Sequence, residues 1–308
     1  MARKFLRILY PKTFFSTLSD ISLLISRKIG KAFLRKEGLP DIATSASLFI
    51  KDDMKTLKVK FIPAPSKKHV IPIIPDFKIT NFPNKYLLPQ INRQILKDEN
   101  FNVDKFGISD GYVRTFINKM NWVVINENQV EGTRNAKTDS LVNNLLRVAD
   151  MDNDPLAIEF HPLCRIFLFN KHYISAEPEF VVSKRKRNKA LVVVEDKHLK
   201  NIRRVTDYGE AQLSAEIIAC GNENTMDEVS DQTIFAIHVI SMRVTFYKAV
   251  IPKEYWTELC RGYPKKQSVE IMRWPMDNGK QTGLDLADPD EREEILKSLV
   301  KIRQFVLG

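Results

Sequence analysis

The chain has 308 residues, of which 44% are hydrophobic and 28% are charged, and this composition excludes an intrinsically disordered protein. The formal net charge is +10, which favours a polyanionic partner, the alternative being a basic surface that only aids solubility. The three cysteines are far apart and lack zinc-ligand spacing, which argues against a disulfide framework or a zinc site. Walker, GxGxxG, GxSxG and HExxH motifs are all missing, so the enzyme classes that carry them lack their signature.

The first 36 residues are strongly basic, with Asp20 as their only acid before Glu37. This composition suits either a mitochondrial transit peptide or a first pair of helices separated at Pro11. The apolar runs are too short for a transmembrane helix, and no secretory signal pattern is present. We therefore expect an intracellular protein with no membrane partner.

The next region, residues 40–90, contains seven of the chain's 15 prolines. Proline removes strand donors and ends helices, so this stretch predicts extended or irregular structure. Apolar spacing then predicts helices within residues 91–121, with Ser109 or Asp110 as an N-cap. We expect residues 1–120 to form an N-terminal accessory region, helical and rich in proline, and residues 121–308 to form the main domain.

The main domain alternates helical and strand periodicities. The pattern predicts a helix over 138–148, strands near 156–160, 165–169, 174–182 and 190–194, a helix over 208–219, and strands over 233–240 and 243–250. A terminal helix follows the acidic run that starts at Asp288. This order predicts an α/β fold with a mixed sheet flanked by helices.

The strongest candidate site lies where an apolar strand, residues 190–194, runs directly into Glu195, Asp196 and Lys197. Side chains alternate along a strand, so Glu195 and Lys197 share one face while Asp196 points to the other. The preceding strand carries Glu179 and forms a hairpin with this one. Because the sequence does not set the strand register, the separation between Glu179 and Glu195 stays open.

These residue types suit metal-assisted hydrolysis. Mg²⁺ binds one or two protein carboxylates together with waters and substrate phosphate. Glu179 and Glu195 could supply those carboxylates, and Lys197 could orient the attacking water or meet developing negative charge. The alternative is a solvated ion pair between Glu195 and Lys197 at a strand end.

The order of Pro178-Glu179, a hairpin, a strand ending in Glu195-x-Lys197 and a helix with Gln212 resembles the PD-(D/E)xK nuclease superfamily, which has the restriction-endonuclease-like fold. Fungal and Crinkler-type effector nucleases are the nearest in appearance, and the resemblance spans residues 120 to 260 at motif level. It implies a nuclease that uses Mg²⁺ or Mn²⁺ to hydrolyse phosphodiester bonds. One departure is Glu179, since the family usually has the shorter Asp at this position.

The resemblance also implies residue roles. Lys197 corresponds to the catalytic lysine, and Gln212 to a polar group that supports the metal water or a phosphate. The first helix of the family's core donates a further acid, and we prefer Glu131 over Asp139 for that role. The implied metal ligands are therefore Glu179, Glu195 and Glu131.

Basic residues near the site form the expected nucleic-acid surface, with DNA preferred over RNA as substrate. They are Lys184, Arg185, Lys186, Arg187, Lys200, Arg203 and Arg204. The run over 184–189 also matches a nuclear localisation signal, which favours the nucleus over the mitochondrion. The alternative function is a catalytically inactive nuclease fold that serves as a nucleic-acid-binding or effector module.

Overall fold

A computed structural model describes residues 41–127, 135–169, 171–185, 189–197, 204–226, 228–279 and 281–308. The predictions for the N-terminal basic segment and for Glu131 lie outside these ranges. The helices are α1 (Lys51–Thr56), α2 (Arg93–Leu96), α3 (Gly111–Asn126), α4 (Ala136–Val148), α5 (Glu210–Asn224), α6 (Lys253–Arg261) and α7 (Pro289–Leu307). None of the described helices combines the length and apolar character needed to cross a membrane.

The strands are β1 (Val59–Pro63), β2 (Leu156–Phe160), β3 (Cys164–Leu168), β4 (Lys171–Ala176), β5 (Phe180–Lys184), β6 (Lys189–Lys197), β7 (Gln232–Ile240), β8 (Arg243–Ile251), β9 (Val269–Trp274) and β10 (Leu284–Asp285). Eight of them form one sheet in the order β1-β9-β8-β7-β6-β5-β2, with β10 beside β8. The β1–β9 and β6–β7 pairs are parallel and the others antiparallel. The predicted α/β fold with a mixed sheet flanked by helices is thus confirmed.

Strand β6 lies inside the sheet, and both of its faces are covered. Val192 and Val194 pack into a cluster with α3, α4 and α7, whereas Val193 packs into the cluster that contains α1, α5 and α6. A strand buried on both faces has no polar alternation, which explains its continuous apolar sequence. Because β6 and β7 are parallel, the chain needs a crossover, and α5 supplies it.

Residues on the N-terminal side of the predicted domain boundary contribute directly to this architecture. Strand β1 is an edge strand of the sheet, paired with β9. The fully buried Arg292 of α7 donates hydrogen bonds to the carbonyls of Leu87, Leu88 and Ile91. The boundary expected between residues 120 and 121 falls inside α3, so it does not coincide with a structural division.

Candidate metal centre

The register of the β5–β6 hairpin answers the question that the sequence left open. Phe180 pairs with Val194, so the next residue on each strand places Glu179 opposite Glu195. Lys197 Nζ forms an ion pair with Glu195 Oε1, as expected for side chains on one face of β6. The hairpin therefore brings two carboxylates and one ammonium together at a single end of the sheet.

Helix α5 contributes two polar side chains to the same place. Gln212 Nε2 lies 2.8 Å from Glu195 Oε1 and 2.8 Å from Glu216 Oε1, and it donates to both. Glu195 and Glu216 are both fully buried. The role of Glu216 was not predicted, although a signal was present: it is an acid one turn from Gln212, and it is the only charged residue in the run of small and apolar residues over 213–221.

A cavity of about 370 Å³ opens beside these residues. Its lining comprises Ser45, Ala46, Ser47, His161, Ser175, Glu177, Glu179, Lys197, Gln212 and Glu216. Two buried carboxylate oxygens, Glu195 Oε2 and Glu216 Oε2, have no hydrogen-bond partner within the described parts of the chain. A buried oxygen anion without a donor is costly, so these two atoms are suited to a cation.

The acids in this site resist ionisation. Burial raises the pKa of Glu195, although the neighbouring Lys197 ammonium acts in the opposite direction. Burial and the charge of Glu195 raise the pKa of Glu216 well above its ordinary value. The same two causes raise the pKa of Glu179. Three acids therefore share one ammonium, and a further positive charge would favour their ionised forms.

Lys197 keeps its positive charge in this setting. Burial alone would favour the neutral amine, but the nearby carboxylates of Glu195, Glu216 and Glu179 outweigh it and raise the pKa of Lys197. An ammonium cannot accept a proton from water. Lys197 is therefore equipped to stabilise negative charge or orient a hydrogen-bond acceptor, and it does not serve as a base.

The donor set fits a hard divalent cation. Within the described ranges, no group of three His, Cys, Asp or Glu side chains is arranged to enclose a metal ion. Mg²⁺ and Mn²⁺ need fewer protein ligands, because waters and phosphate complete their coordination. Glu179, Glu195 and Glu216 supply oxygen donors of the required kind.

The opposite face of β6 carries a second acid pair. Asp196 is fully buried, and burial together with the carboxyl of Asp139 in the first turn of α4 raises its pKa well above the ordinary value. A carboxyl that keeps its proton can donate a hydrogen bond to its neighbour. Asp139 at the start of α4 is thus a neighbour of Asp196 on β6.

His161 is a site residue that the sequence did not identify. Its Nδ1 lies 3.2 Å from Glu179 Oε2, and its backbone amide donates to the Glu179 carbonyl at 3.2 Å. It follows directly after β2, which pairs with β5, so its position depends on the pairing of the two strands. Glu159 on β2 does not take part in this contact, and it accepts a hydrogen bond from Ser183 at 2.5 Å.

The residues predicted to form one basic surface do not all lie beside the acids. Lys184 is the last residue of β5 and Arg185 follows it, whereas Glu179 precedes the first residue of the strand, so roughly 16 to 20 Å separates them from Glu179 at about 3.3 Å per residue. The expectation that these two residues flank the acids is therefore corrected, because hairpin length carries them to the opposite end. Arg204 is exposed shortly before α5. Lys186, Arg187, Lys200 and Arg203 lie outside the described residues.

No protein-family model matches this sequence, and no curated protein matches it either. The functional argument therefore rests on the arrangement of the site itself.

Proposed function

We propose that this protein is a nuclease that hydrolyses phosphodiester bonds in DNA or RNA with Mg²⁺ or Mn²⁺, on a restriction-endonuclease-like core. The observation that carries the proposal is the placement of Glu179 opposite Glu195, with Lys197 paired to Glu195 beside a cavity. Two buried acid oxygens without partners point to a cation, and the net charge of +10 suits a polyanionic substrate. DNA remains the preferred substrate class.

Each residue has a distinct part in this proposal. Glu179 and Glu195 would hold the cation, and Glu216, which accepts from the same Gln212 amide as Glu195, lies beside them. When bound, such a cation polarises a phosphoryl oxygen and lowers the pKa of a water molecule. Lys197 meets the negative charge that develops on the phosphate, and Gln212 fixes the orientation of Glu195.

The order of elements supports the restriction-endonuclease-like part of the proposal. An antiparallel hairpin carries the acids, α5 crosses over, and β7 returns parallel to β6. The Glu-x-Lys triplet lies at the end of β6, where Glu195 is buried and Lys197 borders the cavity. The resemblance in motif order and this topology agree with each other.

The second candidate is a nucleic-acid-binding or effector module that keeps this fold without cleavage. Glu195 Oε1 is already bonded to both Lys197 and Gln212. The part of the chain that the structure describes also contains no three-ligand metal cluster. A noncatalytic scaffold would show both of these features, because the charges of Glu195 and Lys197 already balance each other without a cation.

A cleavage assay separates the two candidates. Purified protein is incubated with single-stranded and double-stranded DNA and RNA, in Mn²⁺, in Mg²⁺ and in chelator. We expect metal-dependent cleavage by the parent and none by Glu195→Ala, while Glu159→Gln, a part-buried acid outside the site, cleaves like the parent. Cleavage by Glu195→Ala would contradict the proposal, and no cleavage under any condition would favour the noncatalytic module.

A further inference from the structure

A second cavity, also of about 370 Å³, lies beside the first residue of α5 and has the opposite chemical character. Its lining comprises Lys51, Met54, Lys55, Val59, Lys60, Phe61, Asp207, Glu210, Arg273 and Asn278. Four of these side chains are cationic and two are acidic. The metal-centre cavity has the reverse balance, because three glutamates line it with one lysine.

The lysines at the rim of this second cavity are available to a ligand. Lys51 pairs with Asp207 at 2.9 Å, Lys55 with Asp52 at 2.8 Å and Lys60 with Glu270 at 2.7 Å. All three lysine side chains are more than half exposed. Exposed ion pairs contribute about 0–1 kcal/mol each, so a phosphate group can compete for these ammonium groups.

The floor of the cavity is fixed by a buried ion pair. Arg273 Nη1 donates to Glu210 Oε1 at 2.6 Å, and Asn278 Nδ2 donates to Glu210 Oε2 at 3.0 Å. Phe61 forms part of the wall, and its ring is held edge-on against buried Tyr247 at a centroid distance of 5.4 Å. A rigid aromatic ring beside cationic side chains is the combination that binds a base and its phosphate.

One chain segment lines both cavities. Ser45, Ala46 and Ser47 border the metal centre, and the segment then continues through α1 and β1 to border the second cavity. Helix α5 does the same, since Gln212 faces one cavity and Glu210 lines the other. The two cavities therefore flank the first turn of a single helix, whose diameter is about 10–12 Å.

We infer that the second cavity binds a nucleotide of the substrate strand that neighbours the scissile phosphate, with the base against Phe61 and its phosphate on Lys51 and Lys55. Lys60 leaves the other face of the edge strand β1 and would meet the next phosphate where the nucleic acid passes that edge. The inference rests on the proposed nuclease function and adds a binding subsite to it. The ligand class is a single-stranded or frayed nucleic acid, because a base must leave its stack to reach an aromatic wall.

Binding of a short fluorescent single-stranded oligonucleotide, measured by anisotropy over a salt series without divalent cation, tests this inference. The test variant is Lys51→Gln with Lys55→Gln and Lys60→Gln. The matched control is Lys78→Gln with Lys97→Gln and Lys253→Gln, three exposed lysines that line neither cavity. Both variants lose three positive charges, so a general electrostatic effect would appear in both.

We expect the test variant to bind about tenfold more weakly at low salt. Its slope of log affinity against log salt should fall by about 2, since each phosphate contact in a single strand contributes about 0.7. The control should stay within about twofold of the parent. Phe61→Leu, which keeps an apolar side chain, should weaken binding by about fivefold or more because the stacking surface is lost.

Equal slopes for the test variant and the parent, or equal losses in test and control, would overturn the inference. Competition with adenosine 5′-monophosphate shows whether the second cavity binds a strand or a free mononucleotide. If the mononucleotide binds there but the lysine changes leave strand binding unaffected, the inference is also overturned. Metal-dependent cleavage with unchanged strand binding would refute the subsite and leave the nuclease proposal standing. Weakened binding without any cleavage would keep the subsite and refute the nuclease.

Discussion

The two cavities beside α5 differ in charge although they share a helix and a neighbouring chain segment. The metal-centre cavity has Glu179, Glu216 and Gln212 around Lys197, whereas the second cavity has Lys51, Lys55 and Lys60 above a neutralised Glu210–Arg273 pair. One arrangement attracts a cation and the other an anion. Under the proposed function, the residues for cleavage and those for strand binding are separate, so each activity can be removed without the other.

The largest expected effect comes from changes in the metal-centre cavity. Lys197→Ala and Glu195→Gln should each reduce cleavage by about 10³-fold, because each removes a charge that acts on the phosphate or the cation. Affinity for the oligonucleotide should stay within about twofold of the parent. The measurement is single-turnover cleavage in Mn²⁺ beside anisotropy without metal. A variant that cleaves at the parental rate would remove that residue from the site.

Glu179 offers a graded change at the position opposite Glu195. Glu179→Asp keeps the ligand type and shortens only its reach, so we expect it to retain metal-dependent cleavage. Glu179→Gln loses the anionic charge and should reduce cleavage about 10²-fold. Full activity in the Gln variant would show that Glu179 is a bystander and would direct attention to Glu177, which also lines the cavity.

Glu210, which lines the second cavity, makes the stability of the fold depend on pH. Burial, against the influence of Arg273, raises the pKa of Glu210 from 4.5 to about 7. The folded state then holds a proton that the unfolded state has lost, so this group destabilises the fold as pH rises from about 4.5 to about 7. Glu210→Gln should remove that part of the pH dependence, about 3 kcal/mol at 1.36 kcal/mol per pKa unit.

Urea unfolding at several pH values between 5 and 8 measures this effect. Glu254→Gln, a change at an exposed acid in the first turn of α6, serves as the control and should keep the parental profile. If the unfolding free energy of Glu210→Gln depended on pH as steeply as that of the parent, the raised pKa would belong to another group.

A divalent cation should stabilise the acidic side in a pH-dependent way. The pKa values of Glu179, Glu195 and Glu216 are all raised by burial, so protons and cation compete for the same oxygens and the cation gains as pH rises. At a hundred times its dissociation constant, Mn²⁺ should add about 2.7 kcal/mol. We expect the rise in Tm over chelator to be larger at pH 8 than at pH 5. Equal Tm values in Mn²⁺ and chelator would favour the noncatalytic module.

The smallest effect is expected at the hairpin end. Lys184→Gln with Arg185→Gln should change the salt slope of binding by less than about 1, because these residues lie at the far end of β5 from Glu179. If the salt slope fell as much as it does in the variant with Lys51, Lys55 and Lys60 changed, the bound nucleic acid would have to contact the hairpin end.

The sequence predicted the local parts of this molecule well. Apolar continuity identified β6, and two-residue alternation placed Glu195 and Lys197 on one face. These relations depend on residues only a few positions apart, so the period of one element determines them. The functional meaning of Glu216 was missed because an isolated acid on a helix usually faces water.

Relations between distant segments could not be predicted. The pairing of Phe180 with Val194, which sets Glu179 opposite Glu195, depends on the hairpin register. The contact of His161 with Glu179 needs the β2–β5 pairing as well. The distance of Lys184 from the acids depends on β5 running from Phe180 to Lys184, whereas the sequence predicted a strand over 174–182.

Strand β1 has a consequence for how the chain completes its fold. Val59 pairs with Val269, so β1 cannot form its hydrogen bonds until a strand much later in the sequence has been synthesised. Closing such a long loop is entropically unfavourable, and contacts of this kind slow folding. A chain without β1 would leave the backbone groups of β9 exposed at the sheet edge, where another molecule can pair with them. The proline-rich region thus supplies the strand that covers the edge of β9.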